Sequence, residues 1–172
     1  MNLMLDLETL SVRPNAVITQ IGAVIFDESE ILADFKCNID INDSMSKGFH
    51  VDGNTITWWL KQSEEARRSI YSGEKLPVKE ALKGFYKWVT DNVTDLDNLK
   101  VWGNGSDFDN AILAYHLHHL GSKPFWKFYN NRCFRTFLSF HPDAVRVVPE
   151  VAHDAMEDAK AQAMTVLNFW KE

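Results

Sequence analysis

The chain has 172 residues, is 45% hydrophobic with 11 Phe and 6 Trp, and carries a formal charge of −6. This composition argues against disorder, and the acidic balance argues against a nucleic-acid coat protein that relies on a basic surface. It leaves room for an enzyme that meets phosphates through cations held in an acidic pocket.

No apolar run approaches the ~20 residues of a membrane span, and acids as early as Asp6 do not fit a secretory leader. Cys37 and Cys133 lie far apart and form no CxxC pair, so a reduced, cytoplasmic protein is expected, without zinc or a disulfide framework. Residues 1–172 read most simply as one domain.

In chain order, "LML" before Asp6 opens a buried strand, and "RPN" at Arg13 to Asn15 reads as a turn. "AVITQIGAVIFD" has the β-branched density of a long central strand, with Gly22 allowing a bulge or a close backbone approach. "ILADFKCNID" completes an antiparallel meander. Asn54 and Ser63 are the expected N-caps of two short helices. A third helix begins at Pro77 and puts Val78, Leu82, Phe85 and Val89 on one face. "LKVWGNG" is a further strand, "DFDNAILAYHLHHLG" a helix closed by Gly121, and "HDAMEDAKAQAMTVLNFWKE" a C-terminal helix. Strands first, then helices among further strands, predict an α/β fold with a mixed sheet flanked by helices.

Three acidic clusters stand at element ends. Asp6 and Glu8 are two apart on a strand and so share a face, where like charges repel unless a cation joins them. Asp109 opens the helix after the Trp102 strand, with Asp107 expected as its N-cap. In the third cluster, Asp154 and Glu157 match a capping box, so the helix starts at Asp154 and leaves His153 on the preceding loop. On a continuous helix, His153 and Asp158 would stand about 140° apart. The four carboxylates of Asp6, Glu8, Asp109 and Asp158, with no thiolate, favour hard cations such as Mg²⁺ or Mn²⁺. Two such ions can clamp the attacking and leaving oxygens of a phosphodiester.

D-x-E-T at Asp6 to Thr9, "GSDFD" ending in Asp109, and His153-x4-Asp158 resemble, in order, the three motifs of the DEDDh 3′→5′ exonucleases. That group includes ribonuclease T, oligoribonuclease and the proofreading subunit of DNA polymerase. "DLETLSVRPNAVITQIGAVIFD" and "TITWWLKQSEEAR" look closer still to a small phage, prophage and bacterial branch. The second cluster departs from the common N-x-x-F-D spacing by one residue at Asn104, so Asp107 remains an alternative to Asp109 as ligand.

The resemblance implies a ribonuclease H-like fold with a mixed five-stranded sheet and helices on both sides. It implies two divalent cations, one on Asp6, Glu8 and Asp158 at the attacking water, the other on Asp6 and Asp109 nearer the leaving group. His153 would be the general base, a role that suits a side chain titrating near neutrality. Glu8 and Thr9 backbone would grip the terminal nucleotide and Leu10 would pack on its base. The partner implied is nucleic acid with a free 3′ end, and the assembly a homodimer.

Trp58 and Trp59, adjacent on a helix, point about 100° apart, which leaves one in the core and the other open to stack on bases. His116, His118 and His119 at one helix end read as surface residues. Arg132 and Arg135 fit phosphate contact, a subunit interface or plain surface equally. Besides the exonuclease reading stand a related endonuclease or phosphodiesterase, and a silent nucleic-acid-binding module.

Overall fold

A computed structural model describes residues 1–171. Strands β1 (Asn2–Thr9), β2 (Ile18–Phe26) and β3 (Ile31–Ile39) form the expected antiparallel meander. The strand β5 (Lys100–Gly103) lies parallel to β1 on its other side. Two very short edge strands complete the sheet: β4 (Lys75–Leu76) beside β3 and β6 (Asn131–Cys133) beside β5. The sheet therefore has six strands in the order β4-β3-β2-β1-β5-β6, one more than the expected five. Two- and three-residue strands carry no periodicity to read.

The central strands β1 and β2 are buried along almost their whole length because helices cover both faces. Odd residues of β1 (Leu3, Leu5, Leu7) enter a large core with α4 (Val78–Asn92) and α5 (Asp109–His119). Met4 points to the opposite side, into a smaller core with Ala159, Ala163, Val166 and Leu167 of α7 (Ala155–Trp170). Alternation therefore aims Asp6 and Glu8 at the α7 side as well. The acidic end of β1 therefore faces the start of α7.

The remaining α-helices are α1 (Ile41–Ser46), α2 (Gly53–Trp59), α3 (Glu64–Tyr71) and α6 (Phe134–Phe140), and one 3-10 turn spans Phe128–Asn130. Ser63 caps α3 as expected, but α2 is capped by Asp52, whose carboxylate accepts from the Asn54 and Thr55 amides, and not by Asn54. Pro77 stands at the N-cap of α4, one residue ahead of the first turn. The histidine cluster also differs from expectation. His118 and His119 are exposed, but His116 is fully buried, its ring stacked on Phe49 at 3.9 Å with Nδ1 against the Ile112 carbonyl.

Candidate active site

The C-terminal end of β1, the start of α5 and the start of α7 meet at one point, and each acidic motif arrives on its own element. Two glycines permit the approach. A Cβ on Gly22, which pairs with Asp6 across the sheet, would lie 2.0 Å from the Ala155 carbonyl carbon. One on Gly103, which pairs with Leu5, would lie 2.9 Å from the Asp109 Cβ. Bare backbone at these positions lets both helices sit down on the sheet.

Asp109 is buried, and its Oδ1 accepts the Leu7 amide at 3.1 Å, which ties the second motif to the first. Asp107 is exposed and caps nothing; Phe108 holds the N-cap position without a side-chain bond. The expected N-cap role for Asp107 is therefore corrected, and of the two aspartates only Asp109 is buried beside Asp6. Asp154 caps α7 as expected, accepting from the Met156 and Glu157 amides, and it also pairs with Lys36 of β3. His153 stands just ahead of the helix with φ 64°, a left-handed conformation uncommon for a residue other than glycine. Two bonds hold it there: its amide donates to Asp158 Oδ2 at 2.8 Å, and its carbonyl accepts the Ser69 hydroxyl at 3.0 Å. Potential ligand atoms of Glu8, His153 and Asp158 all lie within 4.8 Å of one another.

Trp58 is 43% exposed and meets the His153 ring edge-on at 4.9 Å. Trp59 is buried, its indole N–H donating to the Thr9 carbonyl at 2.9 Å. Leu10 is likewise part of the main core, and Thr9 gives its hydroxyl to the Ser11 carbonyl. Of these four residues, Trp58 alone has a broad face open to a base.

Burial pushes the Asp6 carboxyl well above its ordinary range, and the charges of Asp109, Glu8 and Asp158 push it further; a bond from Gln162 opposes them. Burial raises Glu8 in the same way, reinforced by Asp158, Asp109 and Asp154. Asp109 is raised by burial to about 6, against the pull of backbone amides, and Asp158 is raised chiefly by burial. Four carboxylates that each resist ionisation, gathered in one place, are unfavourable without compensating positive charge. The all-oxygen carboxylate set fits hard divalent cations, which supply that charge.

Three supporting residues escaped the sequence reading. Gln162 donates from Nε2 to Asp6 Oδ1 at 2.8 Å. Gln20 accepts the Ala155 amide at 2.7 Å and donates to the Ser69 carbonyl and to Asn38, so it fixes α7 to β2, β3 and α3 together. Lys36 neutralises Asp154. The one available signal was the spacing of Gln162, a helical turn after Asp158 on the same face.

Residues 1–170 match the family model of the 3'-5' exoribonuclease Rv2179c-like domain. The chain belongs to that family. It is accordingly a 3′→5′ exonuclease, as its motifs suggest. No curated protein sequence matches it. Among solved structures, the nuclease domain of 3'hExo, a DEDDh family member bound to rAMP, is similar with a TM-score of 0.62 at 13% identity, over 99% of this chain and 91% of that one. Cell-death related nuclease 4 (CRN-4) is similar at 0.57 and 14% identity, over 99% of this chain and 63% of that one. E. coli exonuclease I in complex with a dA16 oligonucleotide gives 0.61 and 16%, over 96% of this chain and 40% of the longer protein. At such identities these likenesses speak for the ribonuclease H-like exonuclease fold.

Proposed function

We propose that this exonuclease releases nucleoside 5′-monophosphates from the 3′ ends of single-stranded nucleic acid, RNA before DNA, with divalent cations as cofactors. The observation that carries the reading is the convergence of Asp6, Glu8, Asp109 and Asp158 with His153 at the end of β1. The preference for RNA is supported by the family's description as an exoribonuclease; the oligonucleotide on exonuclease I keeps DNA as the second substrate.

Asp6, Glu8, Asp109 and Asp158 would hold two cations, Mg²⁺ or Mn²⁺. When bound, the cations supply charge neutralisation at the phosphate and a more acidic water. His153, held beside Glu8 and Asp158, accepts the proton of the attacking water as its oxygen adds to phosphorus. The bond from phosphorus to the 3′-oxygen of the shortened strand breaks, and that oxygen takes a proton from solvent. Trp58 stacks on the terminal base, and the backbone at Glu8 and Thr9 lines its sugar. A cytoplasmic setting and a homodimer belong to the same proposal, the latter read by sedimentation equilibrium.

The test uses 5′-labelled single strands of one sequence as RNA and as DNA, with Mg²⁺ and with EDTA. A ladder shortening from the 3′ end, faster on RNA and absent in EDTA, is expected. Internal cuts, digestion of a circular single strand, or full activity in chelator would overturn the reading.

A further inference from the structure

Asp158 also lines a cleft of about 490 Å³ bounded by α6, α7 and the segment 146–149. The segment is tied across α7 by the Val147 amide, which donates to Thr165 Oγ1 at 2.9 Å. Asp158, Gln162 and Thr165 form one stripe of α7 along the floor. At 1.5 Å per residue that stripe runs about 10 Å from the catalytic end.

Two arginines line the cleft. Arg135 is fixed by its amide, which donates to the Asn104 carbonyl at 3.1 Å, and one guanidinium nitrogen lies 4.0 Å from where a Cβ on Gly105 would be, beside the turn that carries Asp109. Arg146, on the segment 146–149, lines the same cleft. Among the described residues neither guanidinium makes an ion pair, although the chain carries an excess of acids. The floor also holds Gln162, 7% exposed, whose Oε1 has no partner among the described residues while its Nε2 grips Asp6. Leu138 and Pro149 give the cleft an apolar wall with no fixed hydrogen-bond pattern.

We propose that this cleft is the subsite for the nucleotide just upstream of the scissile bond, with Arg135 and Arg146 gripping the phosphate on that nucleotide's 5′ side. The inference rests on the exonuclease reading above. Guanidinium forks match the two free oxygens of a phosphodiester. The apolar wall takes sugar and base by burial, which tolerates any sequence. Distance along α7 sets the gripped phosphate one step away from the reacting one.

The experiment uses single strands in which that upstream phosphate alone is replaced by a neutral methylphosphonate. In the wild type the neutral linkage should lower kcat/KM for release of the terminal nucleotide on the order of ten- to a hundredfold. In the Arg135→Ala/Arg146→Ala double variant the ratio between the two substrates should approach one; both side chains are exposed, so the fold tolerates the change. The double lysine variant, which keeps charge without the fork, should restore part of the ratio. A wild type indifferent to the neutral linkage, or a double alanine variant that keeps the full ratio, overturns the subsite. Binding of a labelled oligonucleotide in EDTA is a second reading. The variant's salt dependence should be shallower by about one unit of slope for each phosphate that the arginines no longer neutralise, and equal slopes count against the proposal. That slope difference without cleavage of either substrate would overturn the exonuclease reading and leave the cleft as a phosphate-gripping groove with no scissile bond beside it.

Discussion

The Ala155 backbone occupies the space a side chain on Gly22 would need, 2.0 Å from the ideal Cβ position. Gly22 also sits opposite Asp6 in the sheet, so the same contact that seats α7 sets Asp158 and His153 against Glu8. Neither backbone can swing aside as a flexible side chain would. Gly22→Ala should therefore lift the start of α7, at a cost of about 3 kcal/mol or more. For a chain of this size that is a drop in melting temperature of roughly 6–12 °C. Activity should fall out of proportion to the folded fraction. A variant that melts like the wild type and cleaves normally would mean that α7 is not seated by this contact.

Gln162 reaches Asp6 from the same helix that carries Asp158. Its amide donates to Asp6 and so counters the crowding there. Gln162→Met keeps the volume and loses the donor. The cation concentration for half-maximal activity should rise by about 10–100-fold, as is typical when the partner of a ligating group is removed. Calorimetric titration of Mn²⁺ would show the same weakening; an unchanged affinity would reduce Gln162 to a packing residue.

The raised carboxyls make a prediction about stability. An acid whose folded pKa is raised opposes folding while ionised, and the penalty is relieved as pH falls through the folded value toward the ordinary one. For Asp109 that relief begins at about 6. At pH 7.5 Asp109 is charged, and protons compete with Mg²⁺ for the cluster far less than they do in acid. A cation at 100 times its Kd should then stabilise by about 2.7 kcal/mol, roughly 5–10 °C. At pH 5 the same addition should give a much smaller shift. Equal shifts at both values, read by scanning calorimetry, would mean that the carboxyls titrate as ordinary ones.

What the sequence disclosed follows from how local each signal is. The meander, the long amphipathic α4, the Ser63 and Asp154 caps and the acidic clusters each announce themselves within a few residues. Gly22 was legible as a place for close approach, but not what approaches it, since Ala155 is far along the chain. Gln20 is invisible for the same reason: a polar residue in a β-branched strand gains its meaning from Ala155 and Ser69, which arrive from elsewhere. The edge strands β4 and β6 owe their existence to a neighbouring strand. His116 shows the opposite error, in which a polar composition at a helix end concealed a buried ring.

That buried ring carries a prediction of its own. Burial holds the His116 pKa down at about 4, so the fold accepts only the neutral ring. An unfolded chain gains a proton near 6.5. Stability from this group is therefore full above that value and lost as pH falls toward 4, by on the order of 3 kcal/mol. His116→Leu lacks the group, so the stability difference between variant and wild type should shift in the variant's favour across that window and stay constant above pH 7. Urea unfolding of both proteins at matched pH isolates it from the carboxyls. A constant difference from pH 7 to 4 would show that the ring protonates without disturbing the fold.

Glu8, His153 and Asp158 stand close enough to share one ion, so the roles of the last two need separating. Asp158 both offers a carboxylate and accepts the His153 amide that holds the loop at φ 64°. Asp158→Ala should therefore lose cation binding and activity together. His153 is proposed to act on the water, so its removal should spare the cation. Alanine would be strained at that backbone angle, whereas His153→Gly removes the ring and keeps the conformation accessible. Its cation affinity should stay within a few-fold of the wild type while the rate falls by the ~10²–10⁴ expected on removing a general base. Titration calorimetry beside single-turnover rates decides the matter: if His153→Gly loses the cation as badly as Asp158→Ala, His153 is a ligand, and the base must be sought elsewhere.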